Sequence, residues 1–312
     1  MVKHDIELQR LSVHFPVKSG LVKAVDNVTY TFKEGQITAV LGESGCGKSV
    51  LGQAILGILP SYVNFSGEIY YAGKELLKQK EIMPDFYGKC VAVIPQNPSE
   101  SLNPIRSIRK QFNDILEVGG IKDADDSIKR QLLQSFSLQD ADRVLDAYSF
   151  ELSGGMQQRV LCAMSVCLNP EWIIADEPTK GLDDKTSSMV YENLQTVKSI
   201  KCSSMIIITH DINLARNLSD TVALMYAGQI VEKSSKLFDR PLHPYAKSFV
   251  AAMPENGFQT CHGKAPEPGD NLQGCRFAPR CKHCQQRCLE QVPELYKVDA
   301  ETMVRCFLYA SL

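Results

Sequence analysis

The stretch Gly42-Glu43-Ser44-Gly45-Cys46-Gly47-Lys48-Ser49 constrains the fold more than any other part of the chain. Five apolar residues, Ile37 to Leu41, run directly into it, and a helical pattern from about Ser49 to Leu59 follows. Glycines let backbone N–H groups curl round an anion with no Cβ in the way, and a helix N-terminus presents its positive end to the same point. The spacing GxxxxGK(S/T) makes that anion a nucleotide phosphate, with Lys48 reaching the β- and γ-phosphates and the Ser49 hydroxyl on Mg²⁺.

Three more apolar runs repeat the strand-then-polar pattern. Val91–Ile94 ends at Pro95, Trp172–Ala175 at Asp176 and Met205–Ile208 at Thr209. Runs this apolar suit strands buried on both faces of a largely parallel sheet, and their alternation with amphipathic helical stretches predicts an α/β fold. Ligands in such sheets bind beyond the carboxyl ends of the strands, where these polar residues fall. Val222–Tyr226 and Gln229–Glu232, joined by Ala227-Gly228, read as a hairpin. Residues 106–150 are polar and mainly helical in pattern, which predicts a helical insert. A length of 312 residues suggests about two domains, and the Gly- and Pro-rich text after a short helical stretch, Tyr245 to Met253, places a boundary near residue 250.

Two further sites follow from residue chemistry. Asp176 and Glu177 end an apolar strand: the first suits Mg²⁺, a hard cation preferring oxygen ligands, and the second can orient a water. Ser153, Gly154 and Gly155 open a helix with apolar positions at Val160, Ala163, Met164 and Cys167. Ser153 there is either an ordinary N-cap or, with the bare glycine backbone, part of a second anion site.

Composition removes several classes. The formal net charge is −2, so no basic field grips nucleic acid. The N-terminal residues lack a signal-peptide pattern, and no run approaches the roughly 18 apolar residues of a membrane helix. A cytoplasmic location is expected, with thiols kept reduced. The 11 cysteines are uneven: Cys46, Cys90, Cys162, Cys167 and Cys202 come early, whereas Cys261, Cys275, Cys281, Cys284, Cys288 and Cys306 crowd the end. Reduced, clustered thiols on a short segment point to a metal staple rather than disulfides. Four thiolates hold tetrahedral zinc or a [4Fe–4S] cluster, and the spacing matches neither the zinc-ribbon pair nor the ferredoxin run. Unliganded thiols remain the third reading. Cys46, beside a helix N-terminus, is expected to have a lowered pKa, so that alkylation blocks the loop and a bound nucleotide protects it.

Taken together, these motifs resemble the nucleotide-binding subunits of ABC transporters. Leu152-Ser153-Gly154-Gly155-Met156-Gln157-Gln158-Arg159 is similar to the family's signature sequence, Gln96 to its Q-loop glutamine, Pro178–Asp183 to its D-loop and His210 to its switch histidine. Phe15 stands where the family places an aromatic on adenine. The resemblance implies a P-loop ABC ATPase domain over residues 1–250, a mixed sheet with a helical subdomain at about 100–165. It implies Mg²⁺ on Ser49, Gln96 and Asp176, catalysis by Glu177 as general base with His210 and Gln96, and nucleotide contacts from the loop. It also implies head-to-tail pairing of two cassettes, in which Ser153, Gly154, Gly155 and Asp183 serve the partner's nucleotide.

Residues 96–104 (QNPSESLNP), 243–254 (HPYAKSFVAAMP) and 274–281 (GCRFAPRC) are similar to the oligopeptide/dipeptide/nickel importer subfamily. That implies a small Cys-rich C-terminal region at 251–312 with a [4Fe–4S] cluster on Cys275, Cys281, Cys288 and Cys306, zinc being the alternative. Cys261 and Cys284 are extra to the pattern. Implied partners are a second ATPase subunit, two transmembrane permease subunits and an extracytoplasmic solute-binding protein, with the chain peripheral to the cytoplasmic face of the membrane. The work would be ATP-driven import of peptides or a nickel or metal chelate. The alternative is a soluble, non-transport ABC ATPase, whose usual second cassette or coiled-coil insertion is missing here.

Overall fold

A computed structural model describes residues 4–18, 20–76, 86–122, 125–180, 184–200, 204–253, 256–257, 261, 263–266, 269–270 and 272–310. The strands, in chain order, are β1 Ile6–Val17, β2 Gly20–Phe32, β3 Ile37–Leu41, β4 Asn64–Tyr71, β5 Lys74–Glu75, β6 Val91–Ile94, β7 Trp172–Asp176, β8 Ser204–Thr209, β9 Thr221–Tyr226, β10 Gln229–Ser234, β11 Tyr296–Lys297 and β12 Met303–Val304. They fall in two compact units. The first comprises Met1–Phe32, Thr38–Leu77 and His210–Leu312; the second comprises Lys33–Ile37 and Lys78–Thr209.

In the first unit an antiparallel sheet runs β2-β1-β4-β5. Its β1 is long but breaks register against β2 at three places, so its apolar residues do not alternate cleanly. Beside it β3 pairs in parallel with β9, Thr38 opposite Thr221 through Leu41 opposite Leu224. All residues of β3 and β9 are buried, as strands covered on both faces require. The hairpin from β9 to β10 turns on Ala227 (φ 45°) and Gly228 (φ 85°), two successive positive φ angles that match the twist of the flanking strands. β12 adds to the far side of β10, and β11 to β12. Ala39, Leu41, Leu224, Tyr226, Tyr245 and Phe277 share one apolar cluster, so Phe277, from the last part of the chain, packs with the strand that leads into the Gly42–Ser49 loop.

In the second unit β6, β7 and β8 pair in parallel, Val91 opposite Trp172 and Asp176 opposite Ile208. The polar span between β6 and β7 holds helices Pro98–Ser101, Ile108–Val118, Asp126–Ser135, Ala141–Asp146 and Gly154–Val166. Asp125 and Asp140 cap two of them by accepting from Ser127 and Arg143 N–H groups. The helix after the glycine-rich octet, Lys48–Ile55, stops short of the expected Leu59, with Gly57 at φ 66° just beyond it. Among the described residues no helix is long and apolar enough to cross a membrane.

Candidate functional site

The phosphate loop is shaped by close backbone approaches. Gly47 is the N-cap of helix Lys48–Ile55, in the left-handed region at φ 103°, and a Cβ there would collide with the Ala24 carbonyl of β2. A Cβ on Gly42 would meet the Met225 carbonyl and Cys46 Sγ. Lys48 is buried, and its Nζ donates to the carbonyls of Gly42 (2.8 Å) and Glu43 (3.2 Å). An ammonium held on oxygens of its own loop is poised to exchange them for phosphate oxygens. Ser44 and Gly45 are exposed and Ser49, in the first helical turn, is half-buried. A cavity of about 660 Å³ opens beside the loop, lined by Lys23, Ala24, Ser44, Gly45, Gly228 and Arg276 among others. Phe15, half-buried on β1, meets Tyr62 edge-on with ring centroids 6.3 Å apart. His210, exposed, directly follows β8 and is assigned to this unit.

Cys46 corrects the expectation of a reactive thiol. Its side chain is folded into the loop and 6% exposed, and burial pushes its pKa up to about 11. Lys48 and backbone N–H groups pull the other way, but desolvation of the thiolate outweighs them.

The second unit carries the carboxylates and the helix that opens at Ser153. Asp176 ends β7 half-buried. Glu177, 7% exposed, adopts φ 45°, a conformation costing on the order of 1 kcal/mol for a residue with a Cβ. Its N–H donates to the Ile208 carbonyl of β8 at 2.7 Å, which fixes the turn. Ser153 caps helix Gly154–Val166, its Oγ accepting from Met156 N–H at 3.4 Å, and both Ser153 and Gly154 are exposed. Gln157 Nε2 donates to the Ser149 carbonyl (2.7 Å), and Gln158 Nε2 to the Pro178 carbonyl (3.2 Å), just past Glu177. Gln96 is exposed two residues beyond β6. A groove of about 950 Å³ lies nearby, lined by Val93, Leu102, Asn103, Arg106, Ile115 and Met164 among others. Asp183, with Gly181 and Leu182, lies outside the described residues, as do Cys202 and His262.

Cys275, Cys281, Cys288 and Cys306 line one cavity of about 360 Å³ in the first unit, together with Phe277 and Phe307. Burial pushes the Cys275 thiol up to about 11 and raises those of Cys281 and Cys306 as well. Cys284 is exposed, and Cys261 packs against the apolar cluster round Tyr245. Among the described residues no group of three or more His, Cys, Asp or Glu side chains is arranged to hold a metal ion. Four thiols lining one cavity supply the donor type that either zinc or a [4Fe–4S] cluster takes.

Residue-by-residue reading missed Arg276, Arg280, Gln157 and Gln158 as supports of the site. The two arginines interleaved with Phe277 and Pro279 between Cys275 and Cys281 were the available signal.

The ABC transporter family model matches residues 25–180, and the model for the oligopeptide/dipeptide transporter C-terminal region matches residues 231–288. The chain is 33% identical to the dipeptide transport ATP-binding protein DppD of Caldanaerobacter subterraneus, covering 97% of each chain. It is 33% identical to the oligopeptide transport ATP-binding protein AppD of Bacillus subtilis, over 97% of this chain and 96% of that one. The dimeric bacterial ABC transporter cassette MJ0796 superposes with a TM-score of 0.61 at 24% identity, over 72% of this chain and 96% of that one. CbiO1 of Clostridium perfringens, part of the ABC transporter complex cbiONQ, gives 0.60 at 25% identity, over 74% of this chain and 88% of that one.

Proposed function

Because the chain belongs to the ABC transporter family, its cassette joined to the C-terminal region of oligopeptide/dipeptide transporters, we propose that it is the ATP-hydrolysing subunit powering import of di- or oligopeptides. The observation that carries this reading is the loop at 42–49, with Gly47 in a conformation closed to other residues and Lys48 buried against loop carbonyls.

In this reading Phe15 stacks on the adenine, and Gly42, Ser44, Gly45, Cys46 and Gly47 offer backbone to the phosphates. Lys48 moves from the Gly42 and Glu43 carbonyls to phosphate oxygens. Ser49, Gln96 and Asp176 would hold Mg²⁺, which would supply positive charge against the phosphates. Glu177 takes a proton from the attacking water, and His210 stabilises the transferring phosphoryl group. Ser153, Gly154 and Gly155 present an exposed helix N-terminus to the nucleotide of a second cassette, and Asp183 belongs to the same interface. The N-cap and anion-site readings of Ser153 are compatible: the cap fixes the helix start, and the exposed Gly154 leaves it open to a partner.

One of the two permease subunits is proposed to dock at the groove after Gln96, whose apolar and charged lining suits a short amphipathic helix. The chain would then sit on the cytoplasmic face of the membrane, served from outside by a solute-binding protein. The division at residue 250, with a helical subdomain at about 100–165 and a cysteine-rich region at 251–312, is part of the proposal. So is a [4Fe–4S] cluster on Cys275, Cys281, Cys288 and Cys306, supported by the single cavity that these four thiols line. Such a cluster would staple a segment with few core residues. Nickel or metal-chelate import is the finer alternative.

The test is purification of the chain with its permease partners, followed by ATPase assays with a loaded binding protein. Stimulation by peptide and not by nickel chelate supports the proposal. A chain that hydrolyses ATP but never associates with membrane subunits refutes it and favours the non-transport reading. Anaerobically purified protein without brown colour refutes the cluster.

A further inference from the structure

Two arginines of the Cys275–Cys281 segment have no part in the chemistry above, yet both are nearly buried and both reach toward the phosphate loop. Arg280, its side chain 7% exposed, donates from Nη1 to both carboxylate oxygens of Glu43 at 3.3 and 3.4 Å, and to the Tyr226 hydroxyl at 3.3 Å. Arg276 donates from Nη1 to the Ala227 carbonyl at 2.8 Å and from Nη2 to the Asp26 carboxylate. The turn that Arg276 holds is itself bonded to the loop: Gly228 N–H donates to the Cys46 carbonyl, and Asp26 N–H to the Gly228 carbonyl, each at 2.9 Å. One arginine therefore meets the loop at its second residue directly. The other meets it at its fifth residue through the hairpin turn.

Glu43 occupies a free position of the GxxxxGK(S/T) pattern. A carboxylate there adds negative charge beside the place where a polyphosphate must bind, and like charges at short range oppose binding. A nearly buried guanidinium on both oxygens offsets that charge and restrains the side chain. The ends of the segment are themselves anchored. Cys275 and Cys281 lie in the wall of the cysteine cavity, and Cys275 N–H donates to the Cys288 carbonyl at 2.8 Å.

We propose that Arg280, supported by Arg276, is a positioning residue of the ATP site, so that the cysteine-bracketed segment sets the charge and shape of the phosphate loop in its own subunit. The proposal rests on the ATPase reading and adds a role for the C-terminal region within it.

The test is an ATP titration of the full chain as wild type, Arg280→Gln, Glu43→Gln and the double variant. Both turnover and binding of a fluorescent ATP analogue are read. Arg280→Gln raises the KM for ATP about three- to tenfold with kcat within about twofold, while Glu43→Gln alone changes KM less than about twofold. The double variant returns to within about twofold of wild type, because removing the carboxylate removes the need for its counter-charge. A merely structural arginine would show no such rescue. An unchanged KM in Arg280→Gln, or a double variant as weak as Arg280→Gln, overturns the proposal. If Arg280→Gln fails to fold, Arg280→Lys replaces it, with a smaller rise in KM that Glu43→Gln again reverses; no rise overturns the proposal. Analogue binding without any wild-type turnover would instead sink the ATPase reading, and the binding titrations would still decide the role of Arg280.

Discussion

Glu232 offers a quantitative test of the packing in the first unit. It sits in the middle of β10, fully buried, with its carboxylate accepting from Leu242 N–H (3.0 and 3.1 Å to its two oxygens) and His243 N–H (2.6 Å). Burial dominates those bonds and the Lys247 charge, and raises the carboxyl pKa from 4.5 to about 7. Because the folded chain holds this proton more tightly than the unfolded chain, the group adds stability below pH 4.5 that is lost as pH rises through about 7. A shift of that size corresponds to about 3 kcal/mol across the window, at about 1.4 kcal/mol per unit. Glu232→Gln keeps the shape and an acceptor oxygen for the two N–H groups but cannot ionise. Melting curves of wild type and variant from pH 5 to pH 8 are the assay. The wild type should lose about 5 °C more than the variant over that range, taking roughly 2 °C per kcal/mol for a long chain. Parallel Tm profiles would refute the reasoning, since a carboxyl that titrates at its ordinary pH contributes no slope above pH 5.

Other outcomes follow from the same packing. Glu177→Gln should keep ATP binding and lower turnover at least about 100-fold; retained steady-state hydrolysis removes Glu177 as the base. Gly47→Ala should cost about 1–3 kcal/mol of stability through its φ of 103° and abolish binding of a fluorescent nucleotide, because the added Cβ meets the Ala24 carbonyl. With a pKa of about 11, only about one Cys46 thiol in a thousand is ionised at pH 8. Mass spectrometry after brief alkylation of the native chain should therefore find Cys284 labelled and Cys46 intact; rapid labelling of Cys46 contradicts its burial.

The strands that bear the candidate site were legible because each is an unbroken apolar run ending in a polar residue. β3, β6, β7 and β8 all appear within a residue or so of the expected runs, and Ala227-Gly228 marked the hairpin. The antiparallel sheet of β1, β2, β4 and β5 gave no such signal. β1 shifts register at Leu8/Leu11, Leu11/Val13 and Val13/His14, so a period of two never persists along it. Glu177 was legible as a strand-end acid, but its positive φ was not, since the Ile208 carbonyl that pins it lies 31 positions along the chain. Cys46 misled for a similar reason. Its neighbours in sequence predict an activated thiol, whereas its neighbours in space, including Gly42, predict a buried one.

The short strand β12 bears on how this sheet avoids pairing with another chain. β10 lies between β9 and β12, with Glu232 and Lys233 paired to Val304 and Met303. Cutting the tail before Met303 would leave a row of unpaired N–H and C=O groups beside Ile230 and Val231, a template for recruiting another chain. Intact, this side of the sheet finishes instead on the two-residue β11, which carries Lys297, too short and too charged to serve as such a template. Removing the cysteine segment to simplify the protein would therefore trade a tidy border for an adhesive one.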